Sequence, residues 1–74
     1  MSALELTVSP REGALVRVLG LVERRGYAPV SVAFTSEEGG DCRLSLGVRG
    51  KGPVELLARQ LSRLIEVKRV EVRS

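Results

Sequence analysis

Histidine is absent from the 74 residues, and cysteine occurs once, at Cys42. A lone cysteine cannot close an intramolecular disulfide, and without histidine a zinc site is short of ligands. The missing histidine also removes the commonest general base. Asparagine is absent too, which excludes the arginine–asparagine pair that a small acyl-phosphate hydrolase needs. No GxxxxGK(S/T), GxGxxG or GxSxG motif is present. No apolar run approaches the ~20 residues that span a bilayer, and no signal-peptide pattern opens the chain. The expectation is a soluble, cytoplasmic protein with no catalytic residues, no metal site and no cofactor of its own.

What is present is globular: 43% of residues are hydrophobic and 28% charged. A chain of this size buries only about 60% of its unfolded surface, which does not favour a deep catalytic cleft. Ten arginines and two lysines against eight glutamates and one aspartate leave a net charge of +3. The signs are interspersed, as in Arg11-Glu12 and Glu23-Arg24-Arg25, and no like-charged run exceeds two residues. That pattern reads as a mixed solvated surface.

Periodicity divides the chain into six elements. Leu4, Leu6 and Val8 alternate with Glu5 and Thr7, as in a strand with one buried face. Ser9 to Gly13 break the pattern. Leu15, Val18, Leu19 and Val22 then share a helical stripe, and Gly26 suits the residue that stops that helix. Val30, Val32 and Phe34 alternate with Ser31, Ala33 and Thr35 in a second strand. After the polar turn from Ser36 to Asp41, Cys42, Leu44, Leu46 and Val48 alternate in a third. Pro53 suits the first turn of a second helix. Its stripe is Val54, Leu57, Ala58, Leu61, Leu64 and Ile65. Val70 and Val72 mark a last strand. The order β-α-β-β-α-β with right-handed crossovers predicts an α+β, ferredoxin-like sandwich: a four-stranded antiparallel sheet with two helices on one face. No segment reads as a linker, so residues 1–74 are expected to form one domain.

The sheet's other face would carry Glu5, Thr7, Ser31, Ala33, Thr35, Arg43, Ser45, Gly47, Arg69 and Glu71. An RNA-recognition module shares this element order but stacks bases on aromatics of its central strands. Tyr27 and Phe34 are the sole aromatics, and neither lies on this face. Nucleic acid is therefore not an expected partner, nor is a membrane. Metal chaperones of this order carry paired cysteines in the first β-α loop. Here that loop has none, and Cys42 reads as a small buried hydrophobe.

The stretch from Pro10 to Leu21 holds the strongest signal. Gly13 permits a tight turn into the helix, and a helix start with free N–H groups suits a carboxylate. Gly13 to Leu21, "GAL-x-RVLGL", is followed by "RGY" at Arg25-Gly26-Tyr27, a serine at Ser31, and "QLSRLIEVKRVEV" from Gln60 to Val72. In these blocks the chain resembles the ACT domain, and within it the small regulatory subunits of acetolactate (acetohydroxyacid) synthase, in a short single-domain form. The resemblance covers nearly the whole chain.

The resemblance implies a non-catalytic subunit that activates a thiamine-diphosphate-dependent catalytic (large) subunit in branched-chain amino-acid synthesis. It also implies side-by-side pairing of two ACT domains, with a branched-chain amino acid bound at their interface. Mapped here, the candidate effector residues are Pro10, Arg11, Glu12, Gly13, Ala14, Leu15, Ala28, Pro29 and Val30. Valine-sensitive members carry asparagine at the positions of Pro10 and Ala28. The departure implies weak or absent valine feedback, with Glu12 adding negative charge beside the site. The second strand has no charge to blunt it as an edge, so Val30, Ser31, Val32, Ala33 and Thr35 are the candidate homodimer edge. Leu21, Leu56 and Arg59 are candidate contacts with the catalytic partner. The alternative is a free-standing ACT module that senses an amino acid for another enzyme.

Overall fold

Leu4, Leu6 and Val8 turn to one side of the first strand and are all but sealed from solvent, as their alternation requires. The computed structural model describes residues 1–73 of the 74. Its elements run β1 (Ser2–Val8), α1 (Ala14–Arg24), β2 (Ala28–Ser36), β3 (Cys42–Arg49), α2 (Val54–Leu61) and β4 (Val67–Val72). The sheet order is β2-β3-β1-β4 with every neighbour antiparallel. This is the expected ferredoxin-like arrangement, with β1 and β3 central and β2 and β4 at the edges. Leu44, Leu46 and Val48 of β3 join the β1 residues, Val18 and Val22 of α1, and Leu57 and Leu61 of α2 in one core.

Helix boundaries have local causes. Gly13 (φ 81°) turns the chain into α1 from a left-handed conformation that a Cβ would strain. At the other end Gly26 (φ 87°) closes a Schellman motif. There the Gly26 amide donates to the Glu23 carbonyl and the Tyr27 amide to that of Val22. Pro53 sits just before α2 rather than within its first turn.

Four expectations need correction. The stripe on α2 stops at Leu61: Ser62 donates its hydroxyl to the Arg59 carbonyl at 2.7 Å, and tighter turns follow. Leu64 still packs on the core, but Ile65 is 77% exposed. The alternation along β2 is broken. Pro29 pairs with Val48 and Ser31 with Gly47, so Val30 is the extra residue of a bulge. Phe34 does turn to the helix side, opposite Leu44, yet on this edge strand, facing the open hollow beneath α1, it stays 38% exposed. Leu21, expected to meet the catalytic partner, is only 8% exposed and belongs to the core.

Candidate functional site

The β1–α1 loop builds a concavity. Pro10, Arg11, Glu12, Gly13, Ala14 and Leu15 line an open hollow of about 410 Å³, closed on its other sides by Val16, Phe34 and Cys42. Six of the nine candidate effector residues are therefore together. The other three are not. Ala28 and Pro29 lie at the start of β2, beside Arg49 and Val48, while the hollow lies by the strand's far end. The eleven residues of α1 separate the two places by about 16 Å at 1.5 Å per residue.

Sequence reasoning missed three lining residues. Phe34 and Cys42 read as core positions on their strands, and Val16 lies off the α1 stripe. Only the pairing of β2 with β3 brings Phe34 and Cys42 under the loop. Cys42 is a free, buried thiol, as expected of a small hydrophobe.

The helix start above the hollow is open to an anion. No side chain caps α1, and its first turn holds no acidic residue. The Ala14 amide is already used, donating to the Arg11 carbonyl at 3.1 Å. The amides of Gly13, Leu15 and Val16 find no acceptor among the described residues. Together with the helix dipole they favour a carboxylate. The Glu12 side chain, at the rim and without an ion pair among the described residues, opposes one.

The loop is held from behind by Arg17. Its guanidinium donates to the Glu12 carbonyl at 3.0 Å and to the Glu66 carboxylate, which is almost wholly buried. A backbone hydrogen bond at Glu66 lowers the pKa of its carboxyl below the ordinary value of 4.5. Burial pushes the other way, and Arg17 and the more distant Arg11 add to the lowering. The Glu66 carbonyl also accepts from the Ser9 amide at 2.8 Å, so one residue ties the entry of the loop to the start of β4.

On the opposite sheet face, Glu5 accepts from Ser45 at 2.7 Å and stands 3.6 Å from Arg43. Arg43 also donates to Glu37 at 3.2 Å. This face is a paired polar surface. Of the residues expected to form a dimer edge, Ser31, Ala33 and Thr35 line its rim on β2, and Val32 turns to the helix side. All are exposed, as are Leu56 and Arg59 on α2. Among the described residues no cluster of ligating side chains could hold a metal, and no helix is long and apolar enough to cross a membrane.

Comparison with known proteins gives the arrangement a context. The family model of the ACT domain matches residues 10–70. Among solved structures, the acetolactate synthase small subunit from Thermotoga maritima superposes with a TM-score of 0.84 at 29% identity, over 96% of this chain and 45% of that one. This chain thus spans less than half of that subunit. The ACT domain of the GTP pyrophosphokinase of Chlorobium tepidum superposes at 0.79 with 14% identity, over 97% of this chain and 95% of that one. The C-terminal domain of the MgtC protein from Mycobacterium tuberculosis does so at 0.75 with 15% identity, over 97% and 83%. These two likenesses are of fold.

Proposed function

Since this chain belongs to the ACT domain family, a family of regulatory modules, we propose that it is the non-catalytic regulatory subunit of an acetolactate synthase. One observation carries the reading: 29% identity extends over 96% of the chain to a small subunit of that enzyme. Any thiamine diphosphate, magnesium or flavin belongs to the catalytic subunit. The test is reconstitution. Acetolactate formation by the purified catalytic subunit should rise on adding this protein and saturate with its concentration. A flat response sinks the reading. The second reading, an amino-acid-sensing module serving another enzyme, is favoured by the fold shared with the ACT domain of GTP pyrophosphokinase. It would be supported by amino-acid binding without activation.

The working unit is a homodimer joined through β2. An antiparallel two-fold pairing of these edges makes an eight-stranded sheet. With the axis near Val32, Phe34 of one copy faces Val30 of the other. The second copy's Ala28 to Val30 then approach the hollow that a single chain leaves open, and the divided set of effector residues is reunited.

Feedback by valine is weak in this reading. Pro10 and Ala28 offer no side-chain amide, and Pro10 has no N–H. Each missing hydrogen bond to a charged group is worth about 1.5–3 kcal/mol. Two such losses weaken binding by on the order of a hundredfold or more. Calorimetry should show no micromolar valine binding, and the pair of changes Pro10→Asn and Ala28→Asn should strengthen it. Micromolar binding by the unaltered protein would overturn this point.

A further inference from the structure

We propose that the groove between the end of α1 and α2 docks an acidic segment with an aliphatic anchor, supplied by the catalytic partner. That source rests on the regulatory-subunit reading. The groove encloses about 270 Å³ and is lined by Arg25, Tyr27, Gly52, Leu56, Leu57 and Gln60. Its floor is fixed. Tyr27 follows the Schellman turn, its hydroxyl donates to the Pro53 carbonyl at 3.1 Å, and its ring occupies the space that side chains at positions 50 and 52 would need. Arg25 spans the groove to the Gln60 side-chain oxygen at 3.0 Å. Leu56 stands on the rim, 48% exposed and unused by the core, ready to meet an apolar side chain.

Charge chooses the occupant. The ion pairs among the described residues join Arg17 to Glu66, Arg43 to Glu5 and Glu37, Lys68 to Asp41, and Arg69 and Arg73 to Glu71. All lie on the sheet, its adjoining turns or the β1–α1 end. Around the groove the cations are left over. Arg25 bonds only a neutral amide, and Arg59, one turn along from Leu56, has no carboxylate partner. Lys51, next to the lining residue Gly52, has none either. Glu55 lies one turn before Arg59 but forms no ion pair with it among the described residues, and it points about 100° around the helix from Leu56. Free cations beside an exposed aliphatic side chain fit a segment that mixes carboxylates with a leucine-like residue. RNA fits less well, because Tyr27 is only 8% exposed and offers no open ring for a base to stack on.

Fluorescence anisotropy on the full chain tests this with three labelled probes: a glutamate–leucine peptide, its lysine–leucine counterpart and an oligouridylate. The acidic peptide should bind most tightly. Arg59→Glu should weaken it at least about tenfold and Leu56→Ala severalfold. Arg73→Glu, the same charge reversal on β4, should change it less than about twofold. Equal losses at Arg59 and Arg73, equal binding of the lysine peptide, or tighter binding of the oligouridylate would each overturn the proposal. A parallel assay measures activation of the acetolactate synthase catalytic subunit. Activation by the unaltered protein that Arg59→Glu reduces supports the named source, and activation that Arg59→Glu leaves intact overturns it. If the unaltered protein does not activate, the regulatory reading and the named source fall together. The peptide titrations still decide whether the groove takes acidic segments.

Discussion

The two edges of the sheet are built on opposite plans. β4 reads Val-Lys-Arg-Val-Glu-Val, and its charges are engaged: Lys68 with Asp41 at 2.9 Å, Arg69 with Glu71 at 2.9 Å, and Arg73 with Glu71 at 3.2 Å. β2 is nine residues long without a charge, and Val32 and Phe34 stand 45% and 38% exposed on its helix side. Charged side chains on an edge resist pairing with another chain, whereas a long apolar edge invites it. The contrast teaches that this sheet is finished on one side only. The nine-residue hollow lies beside β2, the edge through which the proposed homodimer would pair.

The largest expected effect breaks the contrast directly. Val32→Lys places an unpaired charge in the proposed joint, which at about 3 kcal/mol or more weakens self-association on the order of a hundredfold. Val72→Lys, at a comparably exposed position on β4, should leave it unchanged. Sedimentation velocity over a concentration series distinguishes the two, and equal behaviour would remove β2 from the interface. Next comes Phe34→Ala. Truncating a central aromatic anchor costs about 2 kcal/mol, or roughly thirtyfold in the dimer constant. It should also enlarge the hollow, detected as weaker binding of any amino acid found to occupy it.

The third effect concerns how β4 is secured. Glu66 has a lowered pKa in the folded chain, so its contribution is complete above the ordinary value of 4.5 and is lost as pH falls through the lower folded value. Melting temperature should therefore drop on acidification through that range, and Glu66→Gln should flatten the drop. A profile unchanged by Glu66→Gln would show that other carboxylates govern it. The smallest effect is Lys68→Ala. An exposed pair contributes about 0.5 kcal/mol, a shift of roughly 2–4 °C in a domain of this size. Sharper destabilisation would mean that the β4 charges hold the fold together as well as guarding its edge.

Particular residues show which features were legible in the sequence. Strict alternation at Leu4, Leu6 and Val8, and again from Cys42 to Val48, placed the two central strands because each has one fully buried face. Gly13 and Gly26 marked both ends of α1 because their backbone angles demand glycine. The end of α2 was hidden, since Leu64 and Ile65 continue the helical rhythm and only the Ser62 hydroxyl and the tighter turns end it. Leu21 misled because the buried stripe of α1 is wider than a narrow seam, as α1 meets α2 as well as the sheet. Glu66 gave no signal, because its partner Arg17 lies 49 residues away. At the candidate site the loop from Pro10 to Leu15 was readable from its glycine turn. Phe34 and Cys42 were not, since strand pairing alone carries them there.

The bulge at Val30 settles a question of parity. Pro29 and Val32 both face the helices, opposite Val48 and Leu46, although three positions apart they would face opposite ways on an unbroken strand. The extra residue makes an odd count behave as an even one. Val30 therefore has a role as a spacer that is separate from its side chain. Replacing it should leave the register of β2 intact. Deleting it would turn either Pro29, with Tyr27 before it, or Val32 and Phe34 to the wrong face. For this strand the number of residues is as much a part of the message as their identity.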